Sequence, residues 1–359
     1  MSEKRDLTVN QLPGRTWNWL GMNESRLNDI ETTGSLTVKK EAQQAGVLWN
    51  QEILQDVKMP EWTRITTGMG SDMDLLLDGC AEDMIVSETG DSEGNPTVLR
   101  YVSNDGDKTG NRLCLYAKKN SRLNAVIVCE SEKDAKGFAA LQTRIYAEEG
   151  AKVTVSVAQL LGEGFTALCD FGGRLEDGAS VELVKVELGA GKLYAGGEFG
   201  LYGAKSSFES HIAYFAGREQ RYDMNYTAMH LGKKTVSLMD VSGVLNEDAF
   251  KLFRGTINFL PGCAGAKGDE REDVLLLADD LTNQTIPLIL CQEEDVEGNH
   301  GASIGKLDDS ILFYMGTRGI APEEARRMVA KARVAAVSEK IPDEGVREQI
   351  RVFMEGKEV

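Results

Sequence analysis

The chain has 359 residues, 42% of them hydrophobic and 27% charged, an ordinary balance for a globular protein and enough to bury a sizeable core. A formal net charge of −17 argues against nucleic acid as a main partner, because phosphate binding needs a basic face, and it disfavours an anionic membrane surface. No run approaches the roughly 18–20 apolar residues that span a bilayer, and the first residues lack the apolar core of a secretory signal, so the expectation is a cytoplasmic protein.

Residues 1–84 hold all four tryptophans, Trp17, Trp19, Trp49 and Trp62, which read as packing or interface residues. Val38–Val57 is compatible with a helix despite Gly46, while Leu12-Pro13, Asn23–Ser25 and Thr32–Gly34 read as turns. The expectation is a mixed, mostly helical N-terminal region. From there to about residue 305 the pattern is β. Strand candidates are Thr97–Val102, Leu113–Ala117, Asn124–Glu130, Ala139–Tyr146, Val153–Leu160, Ala167–Phe171, Val181–Leu188, Phe208–Phe215, Thr235–Val241 and Leu252–Phe259, many alternating apolar and polar residues. Asp91–Pro96 and Ser103–Gly110 read as exposed loops.

Glycines precede comparable strands at Gly150, Gly178, Gly203 and Gly232, with separations of 28, 25 and 29 residues. Glu148–Val153 nearly repeats as Glu176–Val181. A loose period of this size suits a solenoid whose coils bury a shared core, and a β-sandwich would also place strands between regular turns.

Ile286–Cys291 reads as a buried strand, followed by an acidic turn, Gln292–Asp295, and a polar tip, Glu297–Gly301, that carries His300. Asp308 can cap a short helix over Ser310–Met315. After Gly319 the period becomes 3.6. Pro322 and Glu323-Glu324 suit a first helical turn, and Ala325, Met328, Val329, Ala332 and Ala336 share one face. A second helix over Asp343–Met354 carries Val346, Ile350 and Phe353 at helical spacing.

The sequence offers little enzymatic chemistry. Gly301–Leu307 looks superficially like a phosphate loop, but three residues separate its glycines and Leu307 stands where magnesium needs a hydroxyl, so no ATP site is expected. His211 and His230 lie in or near strands and read as structural. His300 is expected to be exposed, where a neutral imidazole can ligate iron, with Glu293, Glu294, Asp295 and Glu297 close in sequence. Six cysteines, Cys80, Cys114, Cys129, Cys169, Cys263 and Cys291, show no zinc-type spacing, and Cys114, Cys129 and Cys291, inside apolar strand-like runs, read as buried small hydrophobes.

An ordered series then carries a resemblance: Arg254-Gly255-Thr256-Ile257, Leu275-Leu276-Leu277, Ile286-Pro287, Val296–Gly305, Asp308, Phe313-Tyr314, Arg318-Gly319-Ile320 and Glu323-Glu324-Ala325. It resembles the C-terminal core of the SufB/SufD family, subunits of the SUF iron–sulfur cluster assembly machine. The resemblance implies a right-handed parallel β-helix over 85–305, which decides against the sandwich, and a C-terminal helical region, 306–359, that docks the SufC ATPase through Ala325, Met328, Val329 and Ala332. It implies pairing with a SufB-like subunit through the end of the β-helix, and His300 as the functional histidine of a transient interfacial iron–sulfur cluster. Cys291, Cys263 and Glu297 are secondary candidate ligands. SufB proteins carry a cysteine one strand earlier and a glutamate after the histidine; here Glu272–Leu277 has no cysteine and Gly301 follows His300, which favours the SufD side. A homodimer in place of the SufB pairing, and flavin binding, stay open. The competing class is a secreted-type carbohydrate-active β-helix enzyme, disfavoured by 7% aromatic content and the missing secretion signal.

Overall fold

In the computed structural model, which describes residues 4–53, 59–89 and 95–357, the chain winds into two stacked parallel sheets. Strands β1 (Arg5–Val9) and β2 (Ser25–Ile30) form a separate antiparallel pair, followed by β3 (Thr37–Ala42), β4 (Val47–Trp49) and a six-residue helix α1 (Ser71–Leu76). The solenoid strands are β5 (Ala81–Ser87), β6 (Thr97–Ser103), β7 (Lys108–Ala117), β8 (Arg122–Ser131), β9 (Lys136–Ala147), β10 (Lys152–Leu160), β11 (Gly164–Leu175) and β12 (Ser180–Glu187). They continue as β13 (Lys192–Leu201), β14 (Ser207–Ala216), β15 (Arg221–His230), β16 (Val236–Leu245), β17 (Phe250–Phe259), β18 (Ala266–Leu276), β19 (Thr282–Cys291) and β20 (Val296–Gly305). Odd-numbered strands from β5 build one sheet and even-numbered strands from β6 the other, so each coil gives one strand to each sheet. This is a parallel β-helix.

Its period is set at one corner. Asn120, Gly150, Gly178, Lys205, Lys234 and Gly265 all adopt the left-handed conformation, with φ of 57°, 68°, 64°, 60°, 57° and 77°. Their amides climb the solenoid as a ladder: Gly150 N–H donates to Asp177 O at 2.8 Å, Gly178 to Ala204 O at 2.9 Å, and Lys205 to Lys233 O at 2.9 Å. The glycine repeat therefore reports the true period with a slip. In the later coils lysine takes the corner, two residues beyond Gly203 and Gly232.

Apolar side chains from both sheets fill the interior, among them Ile127, Val155, Leu183, Phe199, Phe208, Ile212, Phe253 and Ile257. The outer faces are covered too. Helices α3 (Pro322–Ser338) and α4 (Glu344–Glu355) lay Ala330, Val334, Val337, Val346, Ile350 and Met354 over Val126, Val128, Val184, Val186 and Phe215 of the even sheet. The N-terminal region lays Leu7, Val9, Met69, Met73 and Leu77 over Phe138, Ala140, Leu168 and Tyr194 of the odd sheet.

The N-terminal region is mixed and mainly extended, not mostly helical. Val38–Val57 holds β3, β4 and a single 3-10 turn, and its residues 54–57 lie outside the described residues. Gly46 at φ 73° reverses the chain so that β3 and β4 pair antiparallel with β6 and β5. Those sheet hydrogen bonds override a modest helix propensity. Most of the expected loop Asp91–Pro96 also falls outside the described residues, and Ser103–Gly110 shrinks to the turn Asn104–Asp107 between β6 and β7.

The corner ladder is testable. Gly150→Ala places a methyl group 2.3 Å from Asn120 Oδ1 in left-handed backbone, and should destabilise by at least about 1 kcal/mol. Lys205→Gly at the equivalent corner should be neutral or slightly stabilising. Urea unfolding of both variants checks the pair, and equal effects would show that the two corners are not equivalent.

Candidate functional site

The two ends of the β-helix differ. At the start, β3 and β4 pair with β6 and β5. At the other end β19 and β20 each have a hydrogen-bonded neighbour on one side only among the described residues. Their outer edges carry unpaired backbone N–H and C=O groups, a template for another strand. Ile286–Cys291 is accordingly half-buried, not the buried strand expected, because no further coil stacks on it.

His300 lies in the middle of β20, not at a turn tip. The turn is the acidic Gln292–Asp295, and Val296–Gly305 pairs along its length with β18. In a parallel pair, directly opposed residues share a face. His300 opposes Glu270, Ala302 opposes Glu272, and Ile304 opposes Val274. On β18 those three partners are buried and alternate with exposed Lys267, Arg271 and Asp273. His300 thus belongs to the inward-facing row, and is exposed because the β-helix ends there. On β19 the inward row, Thr285, Pro287, Ile289 and Cys291, stacks on Phe253, Gly255, Ile257 and Phe259. These two rows form the mouth of the β-helix.

The floor of the mouth is polar. Lys251 forms a buried ion pair with Glu272 and donates to Thr285 Oγ1 at 2.8 Å, and Thr285 Oγ1 donates to Glu272 Oε2 at 2.7 Å. Burial holds the Lys251 ammonium below its usual range, opposed by Glu272. Glu270 is only 2% exposed and packs on Gly255, where a Cβ would lie 2.3 Å from its carboxylate. Its Oε2 has no hydrogen-bond partner among the described residues. Burial, then repulsion from Glu272, pushes its pKa up to about 8. Composition hides Glu270 and Glu272, because Lys267–Asp273 reads as a solvated run. Strand parity reveals Glu270 and Glu272, since both share a face with Ala266 and Val274.

The other candidate ligands are dispersed. Glu297 points to the outer face, where both carboxylate oxygens accept from Lys267 Nζ at 2.9 Å. Cys263 is buried in the corner between β17 and β18, its thiol pushed up by burial and then by Glu293. Cys291 ends β19 exposed, with Sγ 3.5 Å from Glu293 O, and Glu293 accepts from Gly262 N–H at 3.0 Å. Cys263, Cys291 and Glu293 thus border one corner without forming a joint ligand set. No group of three His, Cys, Asp or Glu side chains converges among the described residues. Deeper in the lumen, Lys185 pairs with Glu187 at 2.6 Å and donates to Tyr226 Oη at 2.8 Å. Burial pushes the nearby Cys169 thiol up to about 12, which leaves it protonated and inert. His230 is buried within hydrogen-bond distance of Thr235 and Ser237 and pushed down to about 4, so it is a neutral structural residue. His211 is held between Glu209 and Asp240.

Two neighbouring elements frame the mouth. After β20, Asp308 accepts from Ser310 N–H and caps α2 (Asp309–Thr317), which leaves Ile311, Phe313 and Tyr314 exposed. On the other side an N-terminal loop crosses the odd sheet. Asn10 and Ser25 bond Asp223 of β15, Arg254 of β17 pairs with Asp223 at 2.6 Å and donates to Met22 O at 2.7 Å, and Leu12 and Met22 cluster with Leu252 of β17 and Ile286 of β19. Trp17 and Trp19 at its tip are 74% and 80% exposed. On α3 the expected apolar stripe divides: Ala325 is buried, Val329 half-buried, and Met328 and Ala332 are exposed. The helix seats itself through Ala330, Val334 and Val337 instead.

Comparison with known proteins agrees with this architecture. The family model described as SUF system FeS cluster assembly, SufBD core domain, matches residues 101–333. The iron–sulfur cluster assembly protein SufD of Bacillus subtilis is 27% identical over 271 residues, covering 73% of this chain and 61% of that protein. A SufBD family protein of Mycobacterium leprae is 27% identical over 186 residues, 51% of this chain and 21% of the relative. One from Staphylococcus saprophyticus is 32% identical over 158 residues, 43% of this chain and 33% of the relative. The chain thus spans only part of the length of these curated relatives.

The Arg254–Asp223 pair gives a stability test. Both side chains are fully buried, so Asp223→Ala leaves a guanidinium without its counter-charge and also frees Asn10 and Ser25. The expected loss is about 3–5 kcal/mol in urea unfolding. A loss under about 1 kcal/mol would show that the pair does not anchor the loop.

Proposed function

The chain belongs to the SufBD family and is a SufD-like member of it, and on that premise we propose that it is a non-catalytic scaffold subunit of a SUF iron–sulfur cluster assembly complex. One observation carries the reading: one end of the β-helix is paired off by β3 and β4, while the other presents two free strand edges beside an exposed histidine. A second β-helix, from a SufB-like subunit, adds its terminal coil to β19 and β20. The nascent cluster, as cargo, then lies between the two mouths. His300 supplies a neutral imidazole, and the remaining ligands come from the partner, because no group of three donor side chains converges among the described residues.

ATP hydrolysis belongs to a SufC-like subunit. Gly301–Gly305, the stretch that looked like a phosphate loop, is an extended edge strand that wraps nothing. The SufC-like ATPase docks on the exposed side of the C-terminal helices, through Met328 and Ala332 of α3, while Ala325 and Val329 support that face from beneath. Removing residues 320–359 would not isolate this surface. It would also uncover Val126, Val128, Val184 and Val186, which α3 and α4 keep dry.

Two measurements test the proposal. Co-expression with SufB- and SufC-type proteins, followed by anaerobic purification, should yield a complex carrying iron and sulfide. His300→Ala should lower both several-fold while stability changes by no more than about 0.5 kcal/mol, since the side chain is exposed. Wild-type iron and sulfide in that variant would remove His300 from the site. Separately, Met328→Glu with Ala332→Glu should abolish ATPase capture without altering the melting temperature, and retained capture would place the docking surface elsewhere.

A further inference from the structure

Three charged side chains sit at the floor of the mouth, and two of them cancel. Lys251 is committed to Glu272, and Thr285 closes the triangle between them. Glu270 is left over. It is 2% exposed, its Oε2 has no partner among the described residues, and Gly255 makes the space its carboxylate occupies. A buried carboxylate oxygen without a hydrogen-bond donor is costly, and such groups in folded proteins usually mark a missing ligand, proton or ion.

Directly above Glu270 in the parallel register stands His300, on the same inward-facing row and open to solvent. Neighbouring strands lie about 4.8 Å apart, so an imidazole nitrogen and a carboxylate oxygen on opposed residues can reach one ion between them. We propose that Glu270 and His300 together form a divalent-cation site at the mouth of the β-helix, with water or a residue from across the strand edge completing the coordination. One imidazole and one carboxylate form a donor set suited to first-row divalent metals, ferrous iron included. The cation gives Glu270 Oε2 the partner it lacks among the described residues. Glu297 is excluded from the site because it is turned outward onto Lys267. Only the identity of the ion as iron destined for a cluster rests on the scaffold reading; the site itself does not.

The test uses the full chain, stripped of metal and titrated with Co2+ under anaerobic conditions by calorimetry and visible absorption. Wild-type protein should bind one Co2+ per chain at the site. Glu270→Gln, which keeps shape and hydrogen-bonding capacity, and His300→Ala should each weaken binding by at least the ~10-fold that even an outer-shell partner costs. Glu297→Gln should bind as wild type. Circular dichroism confirms that each variant is folded. Unchanged Co2+ affinity in Glu270→Gln overturns the inference, whether the ion sits on His300 alone or on the acidic surface. Loss of binding in Glu297→Gln would overturn the placement inside the mouth. Failure to co-purify with SufB- or SufC-type partners would sink the scaffold reading and leave the Co2+ result standing, so the two failures are distinguishable.

Discussion

Backbone hydrogen bonding between coils is the constraint on which the rest of this structure depends. Each strand of a parallel β-helix satisfies its amides and carbonyls with the coil before and the coil after, so the unpaired groups collect at the two ends. At the first end β3 and β4 reverse direction and pair with the opening coil. The N-terminal region is therefore part of the solenoid's structure, and its tryptophan-bearing loop is pinned across three successive odd strands. At the last end the outer edges of β19 and β20 pair with no strand among the described residues. Natural sheets blunt such edges with charge, proline or a covering element. Here the charges along β20 and its flank are tied off sideways, Glu297 to Lys267 and Lys306 to Asp279, which leaves the edge itself open to a strand.

The interior sets a second constraint. Most of the lumen is filled by apolar side chains, with Phe199 and Phe208 stacked at 3.9 Å between ring centres. Two buried ion pairs, Lys185–Glu187 and Lys251–Glu272, interrupt it. Desolvating such pairs often offsets their attraction, so a hydrophobic filling would have served stability as well or better. Their placement is asymmetric with respect to function. The deeper pair is closed in by Tyr226 and Phe171, whereas the outer one lies at the mouth beside Glu270, whose Oε2 has no partner among the described residues. The polarity at the open end is thus a local departure from core packing, of the kind that marks sites more than scaffolding.

Much of this was legible in the sequence, for identifiable reasons. The corner turn repeats because each coil needs a left-handed residue at the same place, and glycine or asparagine meets that need cheaply enough to be seen. Asp308 and Pro322 announced their helices because the chemistry of a first helical turn is local. Strands β13 and β15 escaped detection. Gly196 and Gly197 lower the strand propensity of β13, yet both positions are crowded: a Cβ on Gly196 would lie 3.0 Å from Gly68 C, and one on Gly197 would lie 2.8 Å from the Tyr226 ring. The docking stripe on α3 was ambiguous because an alanine-rich helix offers two faces at 3.6 spacing, and only tertiary packing chooses between them. His300 was read as a turn residue because Gly and Asn surround it, and the ladder with β18 overrode that local signal.

Net charge bears on the choice of partner less than its size suggests. A chain of −17 would seem to repel a second copy of itself. Screening at physiological ionic strength reduces interactions between exposed charges beyond about 8 Å, so the charges that matter are those along the contact. At the open end several acidic groups already have partners, as Glu297, Asp279 and Glu272 do. The surface beside them is apolar, with Ile304, Ile311, Phe313 and Tyr314 exposed on one flank and Trp17 and Trp19 on the other. Under the proposed reading, selection between a second copy and a related β-helix would therefore rest on how side chains fit across these flanks and on which further ligands the partner brings. A second copy would bring another His300 and Glu270, and another exposed Cys291 at the end of the inward row of β19. On the proposed scaffold reading, a related subunit with a further cysteine on its own inward rows would add a thiolate beyond the one that Cys291 places on the inward row of β19.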